Sequence, residues 1–384
     1  MADETVPAPD KLRSVHTTTL PQLMHQAGFS FLVSTYQAGK LIIVRADGNV
    51  ANTHFRNFRT PMGLAFAGGR LAIGTTVKVE EFHNQPQVAS TLEPQGKHDA
   101  CFLPRHSIVT GQIGIHEISW VGRELWIVNT RFSCLCTLDP NYSFVPRWRP
   151  KFISGLASED RCHLNGLAVR DGKPRYVTAL GETDTVNGWR ENKAKGGCLI
   201  DIESNEFICR GLSMPHSPRW YDGKLWVMES GAGSLSTVDL ATGKLTTVTL
   251  LPGFTRGLDF WGPDALIGLS QVRESALFSG IPITDRLPVE ERKCGVWVVD
   301  TRSGEIVAFL DFQEGVQEIF AVQILPGIRY PDLLLADDDH VANTILLPDE
   351  ALKDVAPEGV SEAEARVRRK STPSSLALFE VALL

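Results

Sequence analysis

Short apolar runs punctuated by Gly, Asp and Asn recur along this chain in a fixed order, and long helical periodicity is scarce. The clearest unit begins at His216. Ser217-Pro-Arg-Trp-Tyr221 reads as a strand, Asp222-Gly223 as a turn, and Lys224-Leu-Trp-Val-Met228 as a second strand. Glu229-Ser-Gly-Ala-Gly233 leads into Ser234-Leu-Ser-Thr-Val-Asp239, and the turn ending at Gly243 leads into a fourth strand ending at Leu250. Four consecutive hairpin-connected strands are the content of one propeller blade.

The same order returns at Met62-Gly-Leu-Ala-Phe66, Glu117-Ile-Ser-Trp-Val121, Asn165-Gly-Leu-Ala-Val169, Arg256-Gly-Leu-Asp-Phe260 and Glu318-Ile-Phe-Ala-Val322. Taking starts at 62, 117, 165, 219, 256 and 318, the spacings are 55, 48, 54, 37 and 62 residues. Blades usually take about 40–50 residues, so the long intervals imply insertions, placed at Glu80–Gly111, Glu182–Gly196 and Val272–Lys293. The run Phe29–Phe58 supplies three strands with no innermost partner before them. Pairing them with the strand at Glu318 closes the ring and removes exposed edges. The expected fold is therefore a single all-β domain over residues 1–384, a six-bladed β-propeller closed by its N- and C-terminal strands. A seventh blade built from Asp332–Ala336 and Ser375–Glu380 is the alternative. Residues 1–20 read as an N-terminal arm, and 349–375 as a charged surface helix or flexible segment.

Composition narrows the partners. The 38 Lys and Arg against 45 Asp and Glu give a formal charge of −7, which argues against nucleic acid. No run approaches the roughly 18 apolar residues of a membrane-spanning helix, and the acidic, Pro-bearing N-terminus lacks the apolar core of a signal peptide. The 7 Cys fit reduced thiols in a cytoplasmic protein. Cys134 and Cys136 share a strand face without a second pair to complete a metal clip.

In a four-stranded blade, the start of the innermost strand and the loop between strands two and three open on one face. Those positions gather His116-Glu117, His163, Asn165, His216, Arg219, Arg256 and Glu318, with Tyr36, Arg131 and Arg273 in the loops. Three imidazoles and a carboxylate suit a divalent metal with an open position. The expected ligands are His116, His163, His216 and Glu318, and the ion Zn, Mn, Fe or Ca. No organic cofactor is implied. Without a metal, Glu117, His163 and Glu318 are the candidates for proton transfer. Asn165, Arg219, Arg256, Arg131, Arg273 and Tyr36 are the expected substrate contacts, the guanidiniums gripping an acidic group.

Phe29-Ser-Phe-Leu-Val-Ser-Thr-Tyr-Gln-Ala-Gly-Lys40, Arg59-Thr-Pro-Met-Gly-Leu-Ala65 and His163-Leu-Asn-Gly-Leu-Ala168 resemble a bacterial family of conserved hypothetical propeller-like proteins across nearly the whole chain. That resemblance implies the fold and no settled activity. Through Asn165-Gly-Leu-Ala168 the chain also resembles the six-bladed gluconolactonase and senescence-marker hydrolases, whose Glu, Asn and Asp ligands hold a divalent metal on the axis. Asn165 and Glu117 or Glu318 match that pattern, whereas the second Asn and the Asp-Gly ligand are missing. The expected function is a metal-assisted lyase, isomerase or hydrolase acting on a small anionic or sugar-like metabolite. The alternative is a non-catalytic propeller that binds a protein or small ligand.

Overall fold

The computed structural model describes residues 12–272, 279–352 and 378–380. Strands hold 49% of the chain and helix 10%, so the β reading stands. Six four-stranded antiparallel sheets follow one another as blades, each running outward from an innermost strand at the axis. The first blade takes its inner strand, Ala321–Pro326, from the far end of the chain and pairs it with Phe29–Thr35, Lys40–Asp47 and Val50–Asn57. The next five run in sequence, with inner strands at Leu64–Ala67, Ile115–Val121, Leu164–Arg170, Pro215–Tyr221 and Phe254–Trp261. Consecutive inner strands touch all the way round, and the sixth meets the first. The protein is a six-bladed β-propeller closed as the pattern predicts.

The blades stack because their strands bury both faces. Every residue of Phe29–Thr35 and of Asp264–Ser270 is buried, whereas the outermost strand Leu245–Leu250 is largely open to water. The glycines of the repeat mark where neighbouring blades nearly collide. A Cβ at Gly63 would strike the carbonyl of His116, and one at Gly166 would strike the Pro218 ring.

The seventh-blade alternative is not realised among the described residues. Pro331–Leu333 adds in parallel to the fourth strand of the second blade, and Leu378–Glu380 pairs with Thr344–Leu346 in a two-stranded ribbon. The arm expected over residues 1–20 is partly a strand, because Ser14–His16 extends the sixth blade. It runs into the helix Thr19–Ala27, whose Leu20 and Met24, one turn apart, sink between the sixth and first blades. Gly28, at φ 69°, ends that helix in the left-handed conformation. In the tail, Asp349–Leu352 is helical, and 353–375 lies outside the described residues. Among the described residues no helix is long and apolar enough to cross a membrane.

The insertions fall near the predicted places. The one in the second blade is shorter than Glu80–Gly111, since Lys78–Asn84 and Ala100–Val109 are strands. The one in the fourth blade, and residues 279–293 of the one in the sixth, pack together near the mouth where the inner strands begin; 273–278 lie outside the described residues. Leu180, Trp189, Met214, Phe254, Val272, Ile281 and Ile283 form a small apolar roof there.

Candidate functional site

Backbone irregularity aims the side chains at this mouth. The inner strands shift register between Leu164 and Gly166, between His216 and Arg219, and between Thr255 and Leu258. A bulge lets successive residues face the same side, which a regular strand forbids. Asp160, His163, Met214 and Ser217 all take positive φ, between 46° and 50°, in this region. Non-glycine residues hold that conformation only where their surroundings impose it.

The structure brings His116 and His163 into edge-to-face contact, with ring centroids 4.9 Å apart. Each ring is held differently. Thr130 gives its hydroxyl proton to the Leu164 carbonyl at 2.6 Å, so it must accept the Nδ1 proton of His116 at 2.9 Å. The bare Nε2 of His116 then accepts a hydrogen bond from Arg256 Nη2 at 3.0 Å. Burial, with His163 and Arg256 adding to it, pushes the His116 pKa well below its usual value and keeps the ring neutral.

His163 is the available ring. Its Nδ1 lies 2.9 and 3.0 Å from the two oxygens of Asp160, and Trp189 Nε1 donates to the same carboxylate at 3.1 Å. Trp189 is itself buried and packs on His163 at 4.4 Å between centroids. The carboxylate fixes the imidazole with its proton on Nδ1, and Nε2 makes no hydrogen bond to the described residues. Beside it opens a cleft of about 370 Å³ between the third and fourth blades, lined by His116, Thr130, Arg131, Ser158, Asp160 and His163. Arg131 is exposed there, held through Nε by Ser158 and through Nη1 by the Gln112 carbonyl at 3.2 Å.

His216 takes in the fifth blade the position that His116 takes in the third, one register place beyond that of His163. It is buried, and its Nδ1 meets the Met214 carbonyl and Ser230 Oγ, both at 2.9 Å. Burial and then Arg256 hold its pKa well below the usual value.

Several expected contacts are spent on structure. Glu117 accepts the Leu167 amide at 2.8 Å through one oxygen and pairs with Arg219 through the other. Arg219 also donates to the carbonyls of Leu258 and Pro218, both at 2.9 Å. Burial lowers the Arg219 pKa, and the charge and hydrogen bond of Glu117, with the Asp259 charge, together more than offset it, so the net shift is upward. This ion pair blocks the channel. Above it remains a cavity of about 20 Å³, room for one water, and below it a pocket of about 220 Å³ opens at the other mouth. Asn165 donates to the Pro215 carbonyl at 2.9 Å and accepts from Thr178 at 2.6 Å, tying the fourth blade to the fifth. Glu117, Arg219 and Asn165 are thus all held by protein partners in this structure. Arg219 and Arg256 both line the small cavity, with different partners, Glu117 for the first and His116 for the second.

Arg256 has no carboxylate partner among the described residues. Its guanidinium lies 3.8 Å over the Phe320 ring and 5.8 Å from that of Tyr36, and burial lowers its pKa to about 9. Tyr36 thus frames Arg256 rather than the cleft. Glu318 lines neither the cavity nor the cleft, and burial raises its carboxyl above the usual range. Arg273 lies outside the described residues.

The three histidines and Glu318 do not assemble as a metal centre. Among the described residues, the group of three ligand atoms within 4.8 Å of one another is Glu81, His83 and His106, on the second blade. A divalent ion at His116 would also displace a guanidinium from Nε2 and face its charge. Of the axial set of Glu, Asn and Asp, Glu117 is bonded to Arg219 and the Leu167 amide, and Asn165 to Pro215 and Thr178. All seven cysteines are unpaired thiols, six of them buried.

What the sequence reading missed is Asp160, with the roof residue Trp189 as its support. The signal for Asp160 was present, a carboxylate three residues before His163 in Asp160-Arg-Cys-His163.

No curated protein matches the sequence. Among solved structures, one titled as a protein of unknown function from Bacteroides caccae aligns with 9% identity and a TM-score of 0.50, covering 78% of this chain and 99% of that one. It shows the fold alone. A chain of a nidogen/laminin complex aligns over 78% of this chain and 100% of its own, at 9% identity and a TM-score of 0.49. A family model described as a domain of unknown function, DUF4915, matches residues 18–334, most of the propeller, and the chain belongs to that family.

Proposed function

We propose that the cleft between the third and fourth blades is the active site of a proton-transferring enzyme, a lyase, isomerase or hydrolase for a small anionic or sugar-like metabolite. The observation that carries this reading is His163. Its Nδ1 is fixed by Asp160, and its free Nε2 stands beside a cleft large enough for such a molecule. A carboxylate on one imidazole nitrogen sets the tautomer and stabilises the imidazolium that forms when the other takes a proton. Arg131 supplies the positive charge for the ligand's acidic group and keeps a free side of its fork. His116, neutral and locked by Thr130 and Arg256, serves as a wall of fixed orientation. Arg256 acts through His116 and does not touch the ligand.

The test is a panel of small carboxylic acids, sugar acids and sugar phosphates, read by thermal shift and by proton exchange from D₂O in NMR spectra. A true substrate stabilises the wild type and exchanges a C–H proton or is converted. Asp160→Asn should retain binding and slow the exchange by about 100-fold or more, the scale of a positioned acid–base group. His163→Asn should abolish exchange. Stabilisation without exchange would leave the cleft as a ligand-binding site and support the non-catalytic propeller. Exchange that survives His163→Asn would remove His163 from the chemistry.

A further inference from the structure

Far from the mouth, the third and fourth strands of the second blade carry a second cluster that the proposed activity does not use. Glu81 and His83 lie two apart on the strand Lys78–Asn84, so they share a face, and His106 on the strand Ala100–Val109 stands directly opposite Glu81. His83 Nε2 approaches one oxygen of Glu81 at 2.7 Å, and His106 Nδ1 approaches the other at 3.5 Å. The two rings meet edge to face at 6.0 Å. The three ligand atoms lie within 4.8 Å of one another.

We infer that Glu81, His83 and His106 form a binding site for a divalent transition ion of the Zn²⁺ class. Two imidazoles and one carboxylate are a donor set that such ions prefer, and they leave a coordination position for water. Both imidazoles bind as neutral rings, each with its proton on the nitrogen that faces away from the ion. The side chains are 31%, 20% and 64% exposed for His83, Glu81 and His106, so they have room to close about 2 Å onto an ion. The competing cation is Arg70, 4.0 Å from Glu81. It is held by the Trp120 ring, 3.9 Å beneath its guanidinium, and by the Gly122 carbonyl. Bound metal would join the two outer strands of the blade, just where the fifteen-residue insertion 85–99 separates them in sequence.

The experiment uses the untagged full chain after chelator treatment, titrated with Zn²⁺ against a chromophoric chelator and checked by elemental analysis, with Co²⁺ absorption reporting the ligand geometry. The expected result is one equivalent in the wild type and in His163→Asn, and its loss in His83→Ala and His106→Ala. Circular dichroism and thermal melting of the metal-free variants check that the fold persists, which the exposure of both rings favours. An unchanged stoichiometry in a folded His83→Ala, His106→Ala double variant would overturn the assignment. So would a wild type that takes up no ion, or one whose ion is lost on His163→Asn and kept in the double variant.

Discussion

His163 and His216 stand at the starts of the inner strands of consecutive blades, one register position apart, and end in opposite conditions. His163 faces an open cleft with one nitrogen on a carboxylate and the other free. His216 is buried beneath the roof, its Nδ1 on Met214 and Ser230 and its ring edge against Phe254. The repeat decides which residues approach the axis. The second partner decides what they can do there: a carboxylate prepares an imidazole for proton transfer, while a hydroxyl and a carbonyl under an apolar roof fix a neutral ring. The arginines divide the same way, since Arg219 is neutralised by Glu117 and Arg256 is left as a lone guanidinium over Phe320.

The largest effect is expected at the ion pair that seals the closed side. Glu117→Ala leaves the Arg219 guanidinium without its counter-charge and the Leu167 amide without its acceptor. Breaking a buried pair in this way costs about 3–5 kcal/mol, and because Arg219 is partly exposed the lower end applies. Urea denaturation should show the loss as a lower midpoint. A Glu117→Ala protein as stable as wild type would mean that water already reaches this pair, and the channel would not be closed.

The second effect separates the two histidines directly. His216→Ala empties a packed site and removes the ring hydrogen bonds to the Met214 carbonyl and Ser230, at about 2–3 kcal/mol, whereas His163→Ala at the cleft should stay within about 1 kcal/mol. Acidity sharpens the contrast. The His216 pKa is depressed in the fold, by burial and then by Arg256. Above about pH 6.5, the value of a free imidazole, neither state binds its proton and the residue contributes no slope. Below that pH the unfolded chain takes up a proton that the fold refuses, so stability falls as pH falls. His216→Gln should therefore lose less stability between pH 7 and pH 5 than the wild type does. Equal losses would show that the ring is solvated, and the comparison would collapse. His116 is depressed in the same way, so part of the wild-type slope should remain in that variant.

The fold was legible because blade stacking writes itself into the chain. Strands buried on both faces must be apolar, blade contacts at the axis demand glycine at Gly63 and Gly166, and ring closure needs an orphan inner strand at Ala321–Pro326. Convergence of His116, His163 and Arg256 was legible for the same reason, as a matter of register. The state of each group was not. Glu117 lies beside His116 in sequence and reads as its catalytic partner, yet the bulged strands turn its carboxylate down the channel to Arg219. Asn165 looks like an axial ligand, yet its amide is held by Thr178 on its own blade and by the Pro215 carbonyl of the next. Such choices depend on contacts between strands about 50 residues apart, which no local pattern encodes. Asp160–His163 is the exception, a contact over three residues that spacing alone can suggest.

The smallest effect tests whether Arg256 belongs to the open side at all. Its Nη2 meets His116 Nε2, and its charge adds to burial and His163 in keeping His116 neutral. Arg256→Gln removes that charge and the stacking on Phe320, but leaves Thr130 to orient the ring. Stability should change by about 1 kcal/mol or less, because burying a lone guanidinium is itself costly and its loss offsets the lost contacts. The informative readout is therefore the imidazole. With the neighbouring cation gone, His116 should take up its proton at a higher pH than in the wild type, followed by ¹⁵N NMR of the ring nitrogens. The signal should also move from the one-proton tautomer on Nδ1 toward the doubly protonated form as the solution is acidified. If the titration of His116 is unchanged, Arg256 is not its partner in solution, and the guanidinium would then be free to meet a ligand itself.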